Sequence, residues 1–495
     1  MAEYLHGAYG RIQTAGTKVA QQSRNAIVYI GTAPVHTVPG GAANVNKPLL
    51  IQNFAEAKKY LGYSSDWAKY TLCEAMHVHL EQKGVAPLVF INVLDPEVHT
   101  AAQGGTQNLT PANGRITIAA AQSIILDSVE VKTSGENPVT KQKGVDYAIA
   151  YDPAKGVITI AELTTGALGS AALAITYDLI DATAVDAEDV IGASDGAGLS
   201  TGIYAVKNVY QATGRIPSFL LCPGFGSLPA VHTALVQAAQ KINGHWDAYV
   251  YADLPITADG SAISLSSANT WRQTNGFNKE HETVFFPLAK GTDGKVYHLS
   301  VLAAANLQEL LIQQDDIPYK TPSNTDCPII QNLYLGEDSG NVMLDDEAIN
   351  EHLNKNGIAS AAFVGGRWAL WGAHSADYGP SAADRLNIAE TNRMMLFYIS
   401  NDFQHRRGKS VDKPMTLNDI KSIVAEEQAR LDGLVRVGAL TFGRVTILAQ
   451  EDAASDMVNG DHAFLFDVTT TPLAKSLTAI VNWTDEGFVT FFQAP

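Results

Sequence analysis

Positive charge is scarce in this chain. Its 495 residues carry 34 lysines and arginines against 51 aspartates and glutamates, a formal net charge of −17. A surface that acidic disfavours phosphate backbones and anionic membranes as partners and favours solubility at high local concentration. Cysteine is nearly absent. Cys73, Cys222 and Cys327 are far apart and odd in number, so no disulfide framework is implied and a reducing compartment fits. No run approaches about 18 uninterrupted apolar residues, so no membrane span is expected. The opening MAEYLHGAYGRIQTAG lacks a basic start followed by an apolar run and does not read as a signal peptide. What remains is globular material: 46% hydrophobic and 17% charged residues support packed cores and argue against disorder. At roughly 100–200 residues per domain, the length predicts three or four domains.

Residues 1–24 are polar, carry glycines at 7, 10 and 16, and have no helical stripe; they read as an arm. Ala26–Thr32 is a short apolar run, closed by Pro34, that predicts a buried strand. Helices are expected over Phe54–Leu61 and Asp66–Lys83, the second capped by Asp66 and ended by Gly84. Pro87–Leu94 is another buried strand. Strand, helix and strand with continuous apolar runs point to an α/β layer. From about Thr100 to Val190 the pattern turns to short alternating segments: Arg115–Ala119, Ser123–Lys132, Val145–Tyr151, Gly156–Ala161 and Leu173–Leu179. This predicts an inserted small β-sandwich or barrel, with a hairpin turn at Asp152–Gly156. Helix and strand alternation resumes with Pro217–Pro223 (strand), Leu228–Asn243 (helix) and Asp247–Asp253 (strand), and a short helix over Asp345–Asn356. Two more helices follow. One is predicted over Ala382–Gln404 with the stripe Ile388, Met395, Ile399 and Phe403. The other is opened by Thr416 with Asp419 three residues on and closed by Gly433. Four β-like runs, VTILA, HAFLFDV, LTAIVNW and FVTFF, lead to the last residue.

Motifs for chemistry are few, and each fails in context. Gly198-Leu-Ser200-Thr-Gly202 matches G-x-S-x-G, but a nucleophile elbow needs a strand before it, and GASDGA precedes it. Gly224-Phe-Gly226 between a strand and a helix, with Asp253 ending the next strand, has the outline of a dinucleotide site. Pro229 stands where the third glycine belongs, and that glycine is what permits close helix–strand packing. His77 and His79 are two apart on a helix, so one lines the core and the other faces solvent, with no third ligand at metal-binding spacing. Asp315–Asp316 and Asp345–Asp346 lie in no calcium-loop frame. No catalytic, cofactor-binding or metal site is expected.

Several segments in order resemble contractile phage tail sheath proteins: YLHGAYG then VYIGTAP, VDYAIAYDPAKGVITI, TGIYAVKNVYQATGRIPSFLLCPGFGS, DAYVYADLP, YKTPSN, LDDEAINEHLNKNGI and WALWGAHS. In NIAETNRMMLFYISNDF, Asn392–Arg393 stands where that family carries an arginine pair, so no role passes to it. The resemblance implies a multidomain α+β chain of mixed α/β character. Its parts would be an arm (1–24), an α/β segment of the sheath core (25–99), an inserted β-sandwich (100–190), a central α/β sheath domain (191–378) and a C-terminal α/β assembly domain (379–495). It implies a structural subunit, not an enzyme and without cofactor. The subunit would polymerise with itself as stacked six-subunit rings around an inner tail tube protein, meet baseplate and tail terminator proteins, and contract. Nucleic acid and membrane insertion are not expected among its partners. Its place would be a virion tail or injection particle assembled in the bacterial host cytoplasm. Tyr4, Leu5 and Tyr9 in the first arm, and Phe488, Val489, Phe491 and Phe492 at the end, are the residues expected to pair with neighbours. Gly7, Gly10, Gly16 and Gly487 are the hinge candidates, because glycine takes backbone angles other residues resist. The rival classes are an α/β hydrolase or nucleotide-binding enzyme, and another virion or surface-layer protein.

Overall fold

The computed structural model describes residues 24–337, 344–379, 385–448, 460–486 and 488. The chain forms two compact units that divide between Lys413 and Pro414. The first is built on an eight-stranded sheet. The strand Asn25–Gly31 runs parallel to Leu88–Asn92 on one side and to Ile216–Leu221 on the other. Tyr249–Asp253, Glu282–Phe285 and Ile358–Val364 continue the parallel order. Leu49–Ile51 and Arg367–Trp371 close the two edges antiparallel. Continuous apolar runs fit strands covered on both faces: Val28, Tyr29, Ile30, Leu88, Val89, Leu220 and Val250 are buried. Each such aliphatic side chain contributes roughly 1.5–3 kcal/mol by leaving water.

The helix predicted over Asp66–Lys83 starts later. Leu72–Ala75 is α-helical and Met76–Lys83 has the wider π winding. Residues 66–71 form a turn instead, because the Thr71 and Leu72 amides donate to the Thr32 hydroxyl and carbonyl at 3.0 Å each. A tertiary tie to the first strand thus replaces the first helical turn. Gly84 ends the helix with φ 64°, as predicted. The helix expected over Leu228–Asn243 stops earlier, at Pro229–Ala238.

Residues 105–177 carry two antiparallel sheets, one of four strands and one of three. Ile116, Ile118, Val131, Tyr147, Ile158, Ile160, Leu173 and Ile175 share one apolar cluster between them. The expected strand Ser123–Lys132 reduces to Glu130–Thr133, preceded by a 3-10 turn at Leu126–Ser128. The strand Gly105–Leu109, polar in sequence, was missed; it is specified by pairing with Leu173–Tyr177. The chain's two crossings into this region are tied together. Ala101 donates to the Leu179 carbonyl at 2.7 Å and Asp181 to the His99 carbonyl at 2.8 Å. The Asp152–Gly156 turn closes as expected, Gly156 donating to the Asp152 carbonyl at 2.8 Å.

Buried carboxylates tie helices to the sheet. Glu74, 1% exposed, accepts from the His298 amide and meets its Nδ1, both at 2.6 Å. Asp253 accepts from the Ser300 amide at 3.0 Å and from its hydroxyl, which caps the helix Leu299–Gln313 from outside. Glu390 accepts from the hydroxyls of Tyr251 (3.1 Å), Thr283 (2.8 Å) and Thr321 (2.6 Å). That contact sets the helix Glu390–Arg407 into the first unit, although the sequence reading had placed it in a domain beginning at 379. Burial holds the carboxyls of Asp253 and Glu390 above the ordinary range, while the hydroxyls around them pull the other way.

Two predictions follow from this packing. Because its two crossings are tied and the apolar cluster is its own, residues 102–178 replaced by a short Gly/Ser bridge should leave a folded remainder. Cooperative thermal unfolding by circular dichroism is the check, and a molten remainder would contradict it. The second concerns His298. Burial opposes its charge, yet the Glu74 carboxylate and then Asp253 raise its pKa to about 9 from an ordinary 6.5. A raised folded-state pKa contributes stability that is fully present below about 6.5 and is lost as pH rises through about 9. The stability gap between wild type and His298→Gln should therefore be widest below pH 6.5 and close above pH 9. Denaturant titrations across that range measure it.

Candidate assembly surface

The residues that carried chemical motifs are all engaged in structure. Ser200 is buried in a loop bridged to Ser194, and its hydroxyl lies 3.4 Å from that of Ser194; no strand leads into it. At Gly226 an added Cβ would sit 2.6 Å from the Cys222 carbonyl oxygen, so glycine is required by a tight strand-to-helix turn. Pro229 opens the helix that follows, where a missing amide costs nothing. Asp253 caps a helix. His79 is enclosed between the Tyr29 hydroxyl (2.7 Å) and Gln308 Oε1 (2.6 Å), and burial lowers its pKa to about 4. His77 instead meets Glu81 at 2.6 Å near the surface. Asp316 accepts from the Arg24 amide in a turn, and Asp345 accepts from the Ala348 amide as a helix cap. Among the described residues no group of three His, Cys, Asp or Glu is placed to hold a metal ion. No helix of them is long and apolar enough to cross a membrane.

The second unit has a different character. Thr416 accepts from the Asp419 amide and Asp419 from that of Thr416, closing the predicted capping box of the helix Leu417–Arg436. Gly433, expected to end that helix, lies inside it; Gly438, with φ 80°, follows the end. Nothing lies within 4 Å of a Cβ at Gly433, so no close approach requires glycine there. Ile420, Ile423, Leu431 and Leu434 are buried, as are Leu440 and Val445 of the hairpin Leu440–Ile447 / Phe464–Thr470. In the first unit Met395 and Ile399 are buried as predicted, whereas Ile388 is 46% exposed in a 3-10 turn before the helix.

After the hairpin, residues 471–484 have no regular structure. The run LTAIVNW, predicted as a strand, finds no ladder among the described residues, and strand propensity without a partner does not hold a strand. Its side chains are in solvent: Leu477 91%, Ile480 83%, Val481 89% and Trp483 82% exposed. Four large apolar side chains so placed in one segment are the mark of a binding surface. The run FVTFF was expected as a strand, but its one described residue, Phe488, is helical: it is 64% exposed and its amide donates back to the Asp485 carbonyl at 2.9 Å, a local bond that needs no partner strand. Tyr4, Leu5, Tyr9, Val489, Phe491, Phe492, Gly7, Gly10, Gly16 and Gly487 lie outside the described residues.

Comparison with known proteins adds what geometry cannot. No family model matches the chain. The tail sheath protein of Burkholderia phage BcepMu is 26% identical over 99% of this chain and 98% of its own length. The chain is thus similar to a tail sheath protein from end to end. Among solved structures, a chain of the anti-feeding prophage baseplate, 6-fold symmetrised, matches 98% of this chain and 100% of its own, with TM-score 0.55 and 12% identity. The sheath tail protein of Desulfitobacterium hafniense matches 94% and 100%, with TM-score 0.50 and 10% identity. At those identities the structures speak for the fold alone, mixed α/β with several sheets.

The exposed segment makes a separable prediction. Replacing Ile480 and Trp483 by Asp should leave unfolding stability within about 0.5 kcal/mol, because neither side chain packs in the monomer. The same pair should lower self-association in sedimentation velocity. A large loss of stability would mean the segment belongs to the monomer's own core.

Proposed function

We propose that the chain is the subunit of a contractile tail sheath, of a phage or a related injection particle. The observation that carries this is the similarity to a tail sheath protein over nearly the full length of both chains. In this reading subunits stack as six-membered rings around an inner tube protein, with baseplate and terminator proteins at the two ends. Residues 1–24 and the segment beyond Thr471 act as arms that add strands to neighbouring copies, with Tyr4, Leu5, Tyr9, Phe488, Val489, Phe491 and Phe492 among the pairing residues. The apolar side chains from Leu477 to Trp483 support this, because a strand sequence left in solvent is an aggregation hazard unless another chain takes it up. The region 105–177 forms an inserted β-sandwich on the outside of the cylinder, away from the tube. No turnover is assigned to the chain, since Ser200, Gly226, Pro229, Asp253 and His79 serve a loop, a turn, a cap or the core.

Contraction then follows as rigid-body motion. Packed cores repack only at high cost, so subunits turn and slide as units about Gly7, Gly10, Gly16 and Gly487 while the exchanged strands stay paired. The net charge of −17 opposes close approach of subunits, so salt favours the contracted form by screening. The deciding test is negative-stain electron microscopy of the purified chain. Hollow tubes of uniform diameter, lost when the chain is truncated after Asp485 while the monomer stays folded, are the expected outcome. A chain that remains monodisperse at every concentration and salt, or truncated protein that forms normal tubes, would refute the reading.

A further inference from the structure

A cleft of about 310 Å³ opens at the neck of the inserted region, a volume in the range that small ligands occupy. Three parts of the chain line it: the stretch after the first strand, the neck itself and the inserted region. Glu97, Asp127 and Asp178 in its lining are exposed, whereas His36 is buried, 2% exposed. None of the described lining residues is a lysine or an arginine.

The other polar groups of the lining add acceptors, not donors. The Thr100 hydroxyl commits its proton to the Pro96 carbonyl at 2.8 Å. The Ser128 hydroxyl donates to the Ile125 carbonyl at 2.7 Å and accepts from the Asp178 amide at 2.8 Å. His36 Nε2 lies 2.8 Å from the Gln122 carbonyl, which can only accept. Nε2 therefore carries the ring proton, and Nδ1 is left as a lone pair. Burial lowers the pKa of this ring to about 4, so it is neutral near pH 7. Nδ1 is buried without a hydrogen-bond partner among the described residues. A buried acceptor that meets no donor is costly, and this one belongs to a residue that shares a cleft with three carboxylates. Asp127 shows what kind of group answers such a lining. Its Oδ1 meets the Lys143 ammonium at 2.8 Å, and its Oδ2 accepts from the Gly40 amide at 2.6 Å.

The complement of this lining is a ligand that only donates. A bare metal ion is too compact for it, since no three His, Cys, Asp or Glu of the described residues are placed to hold one. Between the polar groups, Val38, Pro96 and Ile125 supply apolar wall, which suits a methylene chain. We propose that the cleft binds a polyamine, its ammonium groups held by Glu97, Asp178 and the acceptors beside His36 and its methylenes lying on the apolar wall. Because the lining comes from both sides of the neck, the bound amine braces the inserted region on the central sheet. This goes beyond the sheath reading and does not depend on it.

The experiment is isothermal titration calorimetry of the full, unassembled chain with spermidine at fixed ionic strength. Saturable binding is expected. Glu97→Gln with Asp178→Asn should weaken it at least about tenfold, the order of one charge-assisted hydrogen bond. Ala42→Leu, which puts carbon into the cleft lining and leaves every charge in place, should weaken it as much. Glu347→Gln with Asp412→Asn removes the same charge from exposed positions elsewhere and should leave the affinity at the wild-type value. Hydrogen exchange at the Ala101 and Asp181 amides, which tie the neck, should slow when spermidine binds wild type; magnesium chloride at the same ionic strength should not slow it. Absence of saturable binding to wild type overturns the proposal. So does equal weakening by the cleft pair and the remote pair, which would mean diffuse attraction to the whole acidic surface, and so does equal slowing by magnesium. If the cleft pair loses cooperative unfolding, Ala42→Leu decides: unchanged affinity overturns the proposal, and weakened affinity with a folded chain upholds it.

Discussion

The strand Asn25–Gly31 lies between two parallel partners that come from distant parts of the chain, Leu88–Asn92 and Ile216–Leu221. The rest of the first unit depends on that double pairing. Between the two partners the chain leaves the sheet, builds two small sheets with their own apolar cluster, and returns. A flexible loop of that length would add a closure cost growing with the logarithm of its length. Tying residues 99–101 to 179–181 shortens the effective loop to the neck. The central ladder can then form almost as if the inserted region were a short connection.

A second constraint comes from carboxylates inside the first unit. Glu74, Asp253, Glu282 and Glu390 are nearly or fully buried, and burial of a charge is costly unless it is hydrogen-bonded. Each meets donors from a different element: His298, Ser300, the His232 ring at 2.5 Å, and the three hydroxyls around Glu390. Apolar packing alone tolerates sliding of a helix on a sheet. A buried carboxylate with two or three fixed donors does not, because a shift of an ångström leaves the charge unsatisfied. These contacts fix the internal shape of the first unit.

The second unit solves the opposite problem. Its helix and hairpin make a small core around Ile420, Leu431, Leu434 and Val445, while the segment after the hairpin leaves Leu477, Ile480, Val481 and Trp483 in water. On the hairpin the Gln428 side-chain amide meets the Gly443 carbonyl and the Val445 amide, and Asp432 accepts from its Nε2.

Much of this was legible in the residues alone. Continuous apolar runs marked the buried parallel strands, Thr416-to-Asp419 capping chemistry marked a helix start, and the Asp152–Gly156 turn marked a hairpin, because each depends on neighbours in sequence. The sheath resemblance was readable too, from short motifs in fixed order. What the residues did not reveal depended on distant partners. The turn at 66–71 replaces a helix because Thr32 captures its amides, and Gly105–Leu109 is a strand only because Leu173–Tyr177 is beside it. LTAIVNW reads as a strand and is not one, because a ladder is a property of two segments and this one has no second among the described residues. Gln428 looked like any polar helix residue. Local periodicity determines what a segment is able to form; only the tertiary structure decides which hydrogen-bonding groups it meets, and so which of those forms it takes.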